Sequence, residues 1–160
     1  MTKQRNSEIC VITGGASGIG EACAREMSAR GLHVVIADID PKGEEVAKSV
    51  GGYFSFLDVS EDKNVNACAA AIEKNIGPVK HLVNCAGVLQ PPLSPETLPM
   101  DIWDNVVSVD QRGTYISSVT FAKYMIKRKE GTITNIASIT ANRSVPVSYT
   151  HLRAHETRHD

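Results

Sequence analysis

The chain has 160 residues, of which 42% are hydrophobic and 22% are charged. This length and composition suit one globular domain with a hydrophobic core, and they exclude a fibrous or largely disordered protein. The 17 basic and 18 acidic residues give a net charge of -1, so the chain lacks the positive field that drives binding to nucleic-acid phosphates. We therefore expect no nucleic-acid partner.

The sequence shows no membrane span, secretory signal or cysteine motif. No apolar run reaches the roughly 20 residues that a membrane-spanning helix needs, and the polar start MTKQRNSE lacks the apolar stretch of a secretory signal. We therefore expect a cytoplasmic protein without membrane contact. The four cysteines, at positions 10, 23, 68 and 85, form no C-x-x-C pair and have no histidine at metal-ligand spacing. We expect reduced packing residues.

Short apolar runs alternate with segments of helical periodicity along the first half of the chain. A strand over residues 9–12 leads into a glycine cluster, and a helix follows over residues 21–29. The second strand is predicted over residues 33–37. After Asp40 and Pro41 a helix runs to about residue 49, and residues 53–57 form the third strand.

The alternation continues in the second half. Ser60 is predicted to cap a helix over residues 61–75, a fourth strand covers residues 81–85, and a proline-rich loop follows. A long helix over about residues 101–127, bent near Gly113, precedes a fifth strand over residues 132–137. Strands separated by helix-length segments pair in parallel through right-handed crossovers. The sequence therefore predicts an α/β fold with a doubly wound parallel sheet and a ligand crevice beyond the carboxyl ends of its strands.

The glycine cluster between the first strand and the first helix has the sequence Thr-Gly-Gly-Ala-Ser-Gly-Ile-Gly over residues 13–20. Glycines permit a tight turn and let backbone N–H groups approach a pyrophosphate, while the helix N-terminus adds partial positive charge. The alternative is a glycine-rich turn that binds no ligand. The position between a strand and a helix favours a dinucleotide cofactor.

Asp38 ends the second strand, 18 residues after Gly20. A carboxylate there can accept hydrogen bonds from both hydroxyls of the adenosine ribose, and its charge repels the 2′-phosphate of NADP. No arginine or lysine lies in the glycine loop or immediately after Asp38 to offset that repulsion. We therefore expect NAD rather than NADP. The other role open to an acidic residue here, a helix cap, suits Asp40 better.

These residues resemble the short-chain dehydrogenase/reductase family, whose glycine motif has the form T-G-x-x-x-G-I-G. Five matches in the same order are far more specific than a glycine motif alone, and they span residues 8 to about 146. The four further segments are Leu57-Asp58-Val59, like the family's adenine-binding segment; Asn84-Cys85-Ala86-Gly87, like N-N-A-G; residues 103–115, like W-D-x-V-x-x-V-N-x-x-G-T-F; and residues 135–138, like N-I-S-S.

The resemblance implies a Rossmann-type fold, truncated after the fifth strand, and hydride transfer between NAD(P) and an alcohol or carbonyl substrate. In such a site a tyrosine passes the proton, a lysine lowers its pKa, a serine steadies the substrate oxygen and an asparagine holds a relay water. Ser138 falls on the serine position. The resemblance implies cofactor contacts from Gly14, Ser17, Gly18, Ile19, Gly20, Asp38, Ile39, Asp58, Val59, Asn84, Ala86 and Gly87.

Asp110 stands where the family has its helix asparagine, in Val109-Asp110-Gln111. An ionised aspartate accepts a hydrogen bond from water but cannot donate one as an amide does. We therefore expect a weakened proton relay with undisturbed cofactor binding. A sequence error and a surface aspartate are the alternatives that stay open.

The family's Tyr-x-x-x-Lys motif has no good match. Tyr149 follows Ser138 after eleven residues, two fewer than the family usually has, and the residue four positions later is Arg153. Arginine replaces that lysine poorly because its geometry and hydration differ and it does not deprotonate. Residues 147–157, VSYTHLRAHET, resemble the translation of an adapter used in transposase-based sequencing libraries. We therefore expect a partial NAD(P)-binding domain over residues 1–146 and a non-native tail over residues 147–160.

The tail also contains His151, His155 and His159, whose spacing on one helical face would suit a zinc or nickel ion. Adapter read-through accounts for the pair His151 and His155 without a ligand role, so we expect no metal site. The leading hypothesis is an oxidoreductase fragment that binds the cofactor at most, from a parent that forms a homo-oligomer. The alternatives are a non-catalytic dinucleotide-binding regulatory module and an intact enzyme that uses Tyr149 and Arg153.

Overall fold

A parallel sheet of five strands forms the centre of the protein in a computed structural model that describes residues 8–138. The strand order is β3-β2-β1-β4-β5, and each neighbouring pair runs parallel. This confirms the predicted α/β fold with a doubly wound sheet. The strands are β1 (Ile9–Thr13), β2 (His33–Asp38), β3 (Tyr53–Phe56), β4 (Val79–Asn84) and β5 (Thr132–Asn135).

Helices cover both faces of the sheet, as parallel strands require. The last two helices, Met100–Val106 and Thr114–Arg128, are joined by a π-helical stretch, Val107–Gly113, which we call the π segment. The helices are α1 (Gly18–Ala29), α2 (Gly43–Ser49), α3 (Asp62–Asn75), α4 (Met100–Val106) and α5 (Thr114–Arg128), with a short 3-10 turn at Pro95–Thr97.

The central strand β1 is apolar apart from its last residue, Thr13, because both of its faces are covered. Every residue of β1 is buried, and alternate side chains enter two separate cores. Val11 packs with residues of α3 and α5 such as Val65 and Phe121. Ile12 packs on the opposite face with α1 and α2. The two cores hold the carboxyl ends of the strands in register, which positions the loops that follow them.

Two predicted helix caps are wrong. The N-cap of α3 is Glu61, and Ser60 instead donates its hydroxyl to Asp58 Oδ1 at 2.6 Å. The N-cap of α2 is Lys42 rather than Asp40, whose Oδ1 accepts the backbone N–H of Lys42 at 2.9 Å. In both loops the polar side chain forms a local turn before the helix begins, which competes with capping.

Gly113, near which the sequence predicts a bend, is the last residue of the π segment. A Cβ on Gly113 would lie 2.7 Å from Val59 Cγ2 and 3.1 Å from the Val59 carbonyl oxygen. The helix therefore approaches the loop after β3 more closely than any side chain would allow. Single π turns inside α-helices are frequent at functional sites.

β5 is the last strand that the structure describes, and it lies at one edge of the sheet. Among the described helices, none is long and apolar enough to cross a bilayer. Several sequence predictions fall outside the described residues: the tail over residues 147–160, Tyr149, Arg153, His151, His155 and His159.

Candidate dinucleotide-binding site

A crevice is expected where the strand order reverses, beside the carboxyl end of β1. β1 pairs with β2 on one side and with β4 on the other, so the chain leaves β1 at this switch point. The loop from β1 into α1, residues 14–17, contains most of the glycine motif. It meets the loops that follow β2 and β4.

The glycine loop contacts both the end of β2 and the loop after β4. The Gly14 N–H donates to the Ala37 carbonyl oxygen at 2.9 Å, and Gly14 has a φ of 65°. A Cβ on Gly14 would lie 2.6 Å from the backbone nitrogen of Ala86. Both the positive φ and the close approach to the β4 loop require glycine at this position.

Gly18 differs from Gly14 because it faces open space. It begins α1 with a φ of 54°, and no atom lies within 4 Å of the position that a Cβ would take. The N-terminal turn of a helix presents backbone N–H groups and partial positive charge. The space beside Gly18 can therefore hold an anionic group such as a pyrophosphate.

Thr13 joins the loops after β1 and β4, a role that the sequence analysis did not assign. Its side chain is 1% exposed, and its Oγ1 accepts the backbone N–H groups of Cys85 and Ala86, each at 3.2 Å. The threonine that begins the glycine motif was the available signal. Its hydroxyl fixes the distance between the two loops that border the crevice.

Asp38 contacts the glycine loop directly. Its Oδ2 accepts the Ala16 N–H at 2.9 Å, and its Oδ1 accepts the Asp40 N–H at 2.9 Å. The carboxylate is therefore held beside the loop with a fixed orientation. Its remaining lone pairs can accept hydrogen bonds from a ribose.

Two large apolar side chains are exposed close to these loops. Ile19, in the first turn of α1, is 62% exposed, and Ile39, directly after β2, is 60% exposed. Exposed apolar side chains at the mouth of a crevice are covered when a ligand with flat apolar faces binds. Ser17 and Gly18 are exposed as well.

The loop after β3 lies next to Asp38, because the Leu57 N–H donates to the Asp38 carbonyl oxygen at 3.0 Å. Asp58 shapes this loop: its Oδ1 accepts the Ser60 N–H at 2.9 Å, and its own N–H donates to Asn64 Oδ1 at 2.7 Å. Val59 is buried in the core beneath. Asp58 and Val59 are thus placed on the β2 side of the crevice.

The loop after β4 borders the opposite side. Asn84 is buried, and its amide donates to Ser118 Oγ at 3.0 Å and to Asn135 Oδ1 at 2.8 Å. The Asn84 side chain thus links β4 to α5 and β5. Ala86 and Gly87 continue the loop past Gly14 and beside Asp110.

The two candidate catalytic residues within the described range lie near the ends of β4 and β5. Asp110, in the π segment, accepts the Val88 N–H through Oδ1 at 2.8 Å. It therefore holds the β4 loop, which a surface aspartate without partners would not do. Ser138 is exposed and follows β5 by three residues.

All four cysteines lie within the described residues and are free thiols, as predicted. Burial raises the pKa of Cys10 to about 12. Burial, and then the neighbouring Cys23, raises the pKa of Cys85 to about 12. Both thiols are protonated near neutral pH, so neither is a thiolate nucleophile. Within residues 8–138 no cluster of three or more His, Cys, Asp or Glu side chains is arranged to hold a metal ion.

Comparisons with known proteins agree with this geometry. The family model described as short chain dehydrogenase matches residues 8–150. A 2,3-dihydro-2,3-dihydroxybenzoate dehydrogenase from Bacillus subtilis is 36% identical over 137 residues, which cover 82% of this chain and 52% of that protein. An NAD-dependent glycerol dehydrogenase from Listeria innocua is 31% identical over 134 residues, with 82% and 52% covered.

A solved structure is similar over a comparable region. The crystal structure described as ribose-5-phosphate isomerase from Brucella melitensis superimposes with a TM-score of 0.86 at 43% identity, covering 93% of this chain and 58% of that one. The chain spans about half the length of the curated relatives it matches.

Proposed function

The chain belongs to the short-chain dehydrogenase family, and from this premise we propose that the complete protein is an NAD-dependent oxidoreductase acting on an alcohol or carbonyl substrate. The observation that carries the proposal is the Asp38 carboxylate, whose Oδ2 lies 2.9 Å from the Ala16 nitrogen of the glycine loop. A fixed negative charge at the end of β2 matches the hydroxyls of an adenosine ribose and opposes a 2′-phosphate.

The described residues fit a dinucleotide in each part of the crevice. The open space beside Gly18 receives the pyrophosphate at the N-terminus of α1. Asp38 binds the adenosine ribose, and the Asp58 loop borders the adenine, with Ile39 covering its apolar face. The loop from Asn84 to Gly87 borders the nicotinamide half. NAD, when bound, supplies the hydride acceptor for the reaction.

Ser138 and Asp110 serve the reacting end of the site. The Ser138 hydroxyl, at the carboxyl end of β5, orients the substrate oxygen by hydrogen bonding. Asp110 fixes the β4 loop through the Val88 N–H, and it accepts from a relay water without donating to it. A proton relay at this position is therefore weaker than one built on asparagine.

The 160-residue chain itself is proposed to be inactive. Tyr149 and Arg153 belong to residues 147–160, which we propose to be translated adapter sequence, so the tyrosine and lysine of the family are missing from it. Sequencing the source DNA across codons 146 and 147 without a transposase-made library tests this. A frame that continues into Tyr-x-x-x-Lys supports the proposal, and the adapter-like codons in the genome itself would contradict it.

The proposal extends to the setting of the complete protein: a cytoplasmic homo-oligomer with a small-molecule substrate and no nucleic-acid partner. Tyr115, Val119 and Ile126 support the oligomer, since all three are exposed apolar residues on α5 and their spacing favours one helix face. Sedimentation of the complete protein tests the oligomer, and a monomer at micromolar concentration would contradict it.

A non-catalytic dinucleotide-binding module is the second candidate function. Asp110 favours it, because this residue departs from the family's asparagine and its Oδ1 is engaged by the Val88 N–H. The two functions differ in the complete protein: NAD reduction with any of a panel of secondary alcohols supports the oxidoreductase. Cofactor binding without turnover, together with a genomic sequence that lacks Tyr-x-x-x-Lys, supports the module.

Titration calorimetry of the 160-residue chain with NAD, NADP and ribose 5-phosphate tests the binding function. We expect one NAD per chain, NADP binding at least about tenfold weaker because of repulsion by Asp38, and no competition by ribose 5-phosphate. A folded chain that binds no NAD would contradict the proposal, and preferential binding of ribose 5-phosphate would favour a sugar-phosphate function instead.

Gly18→Ala and Gly51→Ala form a matched pair for this titration. Both glycines have positive φ, 54° and 65°, and neither has an atom within 4 Å of an added Cβ. The backbone strain is therefore similar, on the order of 1 kcal/mol. Only the Gly18 methyl would enter the proposed pyrophosphate space. We expect Gly18→Ala to lose NAD binding and Gly51→Ala to retain it; equal losses would contradict this placement.

A further inference from the structure

The π segment is attached to loops on both sides of the crevice. Asp110 accepts the N–H of Val88 at 2.8 Å, in the loop after β4. Two residues later, Arg112 Nη1 donates to the Ser60 carbonyl oxygen at 2.8 Å, in the loop after β3. The Arg112 guanidinium also pairs with Asp62 at the start of α3. Residues i and i+2 point in different directions on a helix, which suits attachments to two different loops.

These attachments matter because few fully buried side chains fix this part of the chain. Helix α4 has no buried residue, and Gly113 is the only buried residue of the π segment. Gly113 lies against Val59, at a distance where a Cβ would come within 2.7 Å of Val59 Cγ2. Val109 packs partly buried against the core, and the other contacts that set the position of the π segment are those of Asp110, Arg112 and Gly113.

The two loops belong to opposite halves of the crevice. β3 lies beyond β2, on the side where Asp38 receives the adenosine ribose, and β4 lies across the switch point. We infer that Arg112 is a positioning residue: by fixing the π segment to the Ser60 loop, it sets the place of Asp110 and hence of the Val88 amide in the other half of the site. Its consequence for the cofactor rests on the proposed function, but the linkage itself does not.

Amide hydrogen exchange of Val88, followed by NMR on the 160-residue chain without ligand, tests the linkage. Arg112→Gln removes the ion pair and the charge-assisted bond to Ser60. We expect the Val88 amide to exchange about fivefold faster, the effect of losing one partly exposed ion pair and its hydrogen bond. Arg112→Lys keeps the charge and is expected to fall between the two. An unchanged Val88 rate in folded Arg112→Gln would overturn the inference.

Arg30→Gln is the matched control. Arg30, directly after α1, also forms an exposed ion pair, with Glu26 at 2.7 Å. Arg30→Gln removes the same charge but does not contact the π segment, so the Val88 amide should exchange at an unchanged rate. If Arg30→Gln accelerated this exchange as much as Arg112→Gln does, the inference would be overturned. If Arg112→Gln does not fold, Asp62→Asn replaces it, since this change weakens only the ion pair, and the same two outcomes decide the question.

A double-mutant cycle on ADP-ribose affinity tests the consequence for the cofactor. Because Arg112 acts through Asp110, the double variant of Arg112→Gln and Asp110→Ala should lose little more affinity than Asp110→Ala alone. Additive losses would mean that the two residues act separately and would overturn the linkage. If the unmodified chain binds no ADP-ribose, the proposed function fails, while the Val88 exchange rates still decide the inference.

Discussion

Asp38→Asn tests both the loop contacts of this carboxylate and the proposed effect of its charge on the choice of cofactor. In the unmodified chain, Oδ2 accepts the Ala16 N–H and Oδ1 accepts the Asp40 N–H, both at 2.9 Å. An asparagine has one oxygen, so one of these backbone groups would face the amide nitrogen, which is itself a donor. The substitution therefore removes the charge and also leaves a part-buried N–H without its acceptor.

The expected magnitudes follow from these two losses. An unsatisfied N–H costs about 1–3 kcal/mol. If this cost falls on the glycine loop, it weakens NAD binding by about fivefold to 150-fold. The charge acts on NADP: two unit charges about 4 Å apart repel by roughly 1 kcal/mol in water and by about 4 kcal/mol at an effective dielectric of 20. For this half-buried site we take about 2 kcal/mol, a preference for NAD of about thirtyfold.

Asp38→Asn should thus lower NAD affinity strongly and shrink the NAD preference, without creating tight NADP binding. The assay is calorimetry with both cofactors, and Asp40→Asn is the matched control. Asp40 Oδ1 accepts only the Lys42 N–H, a bond that an asparagine oxygen can keep, so we expect less than about threefold change there. If Asp38→Asn bound NADP as tightly as the unmodified chain binds NAD, the loop-holding role of the carboxylate would be refuted. An unchanged NAD preference would refute the role of its charge.

Further predictions concern the loops around the crevice. Thr13→Val removes the acceptor of the Ala86 N–H, while the Cys85 N–H keeps the Thr13 carbonyl oxygen at 3.2 Å; we expect a cost of about 1–3 kcal/mol. Thr13→Ser should keep most of this stability in urea unfolding, and equal losses would argue against the hydroxyl. Gly113→Ala places a methyl 2.7 Å from Val59 Cγ2 and should destabilise by about 1–3 kcal/mol; an unchanged melting temperature would show that the π segment moves freely. Because the pKa of Cys85 is raised to about 12, its thiolate fraction is very small at pH 8 and rises only as the pH approaches that value. Iodoacetamide should therefore label Cys85 far more slowly in the folded chain than in urea, and equal rates measured by mass spectrometry would contradict this.

Much of the architecture could be predicted from local pattern. Apolar runs alternating with helical periodicity gave the five strands and the crossover helices in order, because each strand and helix is built from neighbours along the chain. The glycine cluster and the acidic residue 18 positions later indicated a dinucleotide site by spacing alone. The limits of elements were less accurate: α1 begins at Gly18 rather than at residue 21, and β4 at Val79 rather than at residue 81.

The helix caps were predicted wrongly where a polar side chain has more than one possible hydrogen-bond partner nearby. Ser60 has the residue type of a helix cap, but Asp58 lies two positions before it and accepts its hydroxyl. Asp40 likewise forms a turn with Lys42 before α2 begins. A short polar side chain at such a position can cap a helix or close a turn with similar energy. The backbone path, which depends on where the preceding strand ends, decides between them.

By itself, the sequence determined the class of fold, the order of its elements and the residues that carry the cofactor motif, since all of these depend on spacing along the chain. Only the tertiary structure decided how the site is held together. Asp38 accepts the Ala16 N–H, Thr13 accepts an N–H of the β4 loop, and Arg112 donates to Ser60, 52 residues away in sequence. The register of the parallel strands brings these groups together, and no local pattern encodes the distance between two loops that meet only after the sheet has formed.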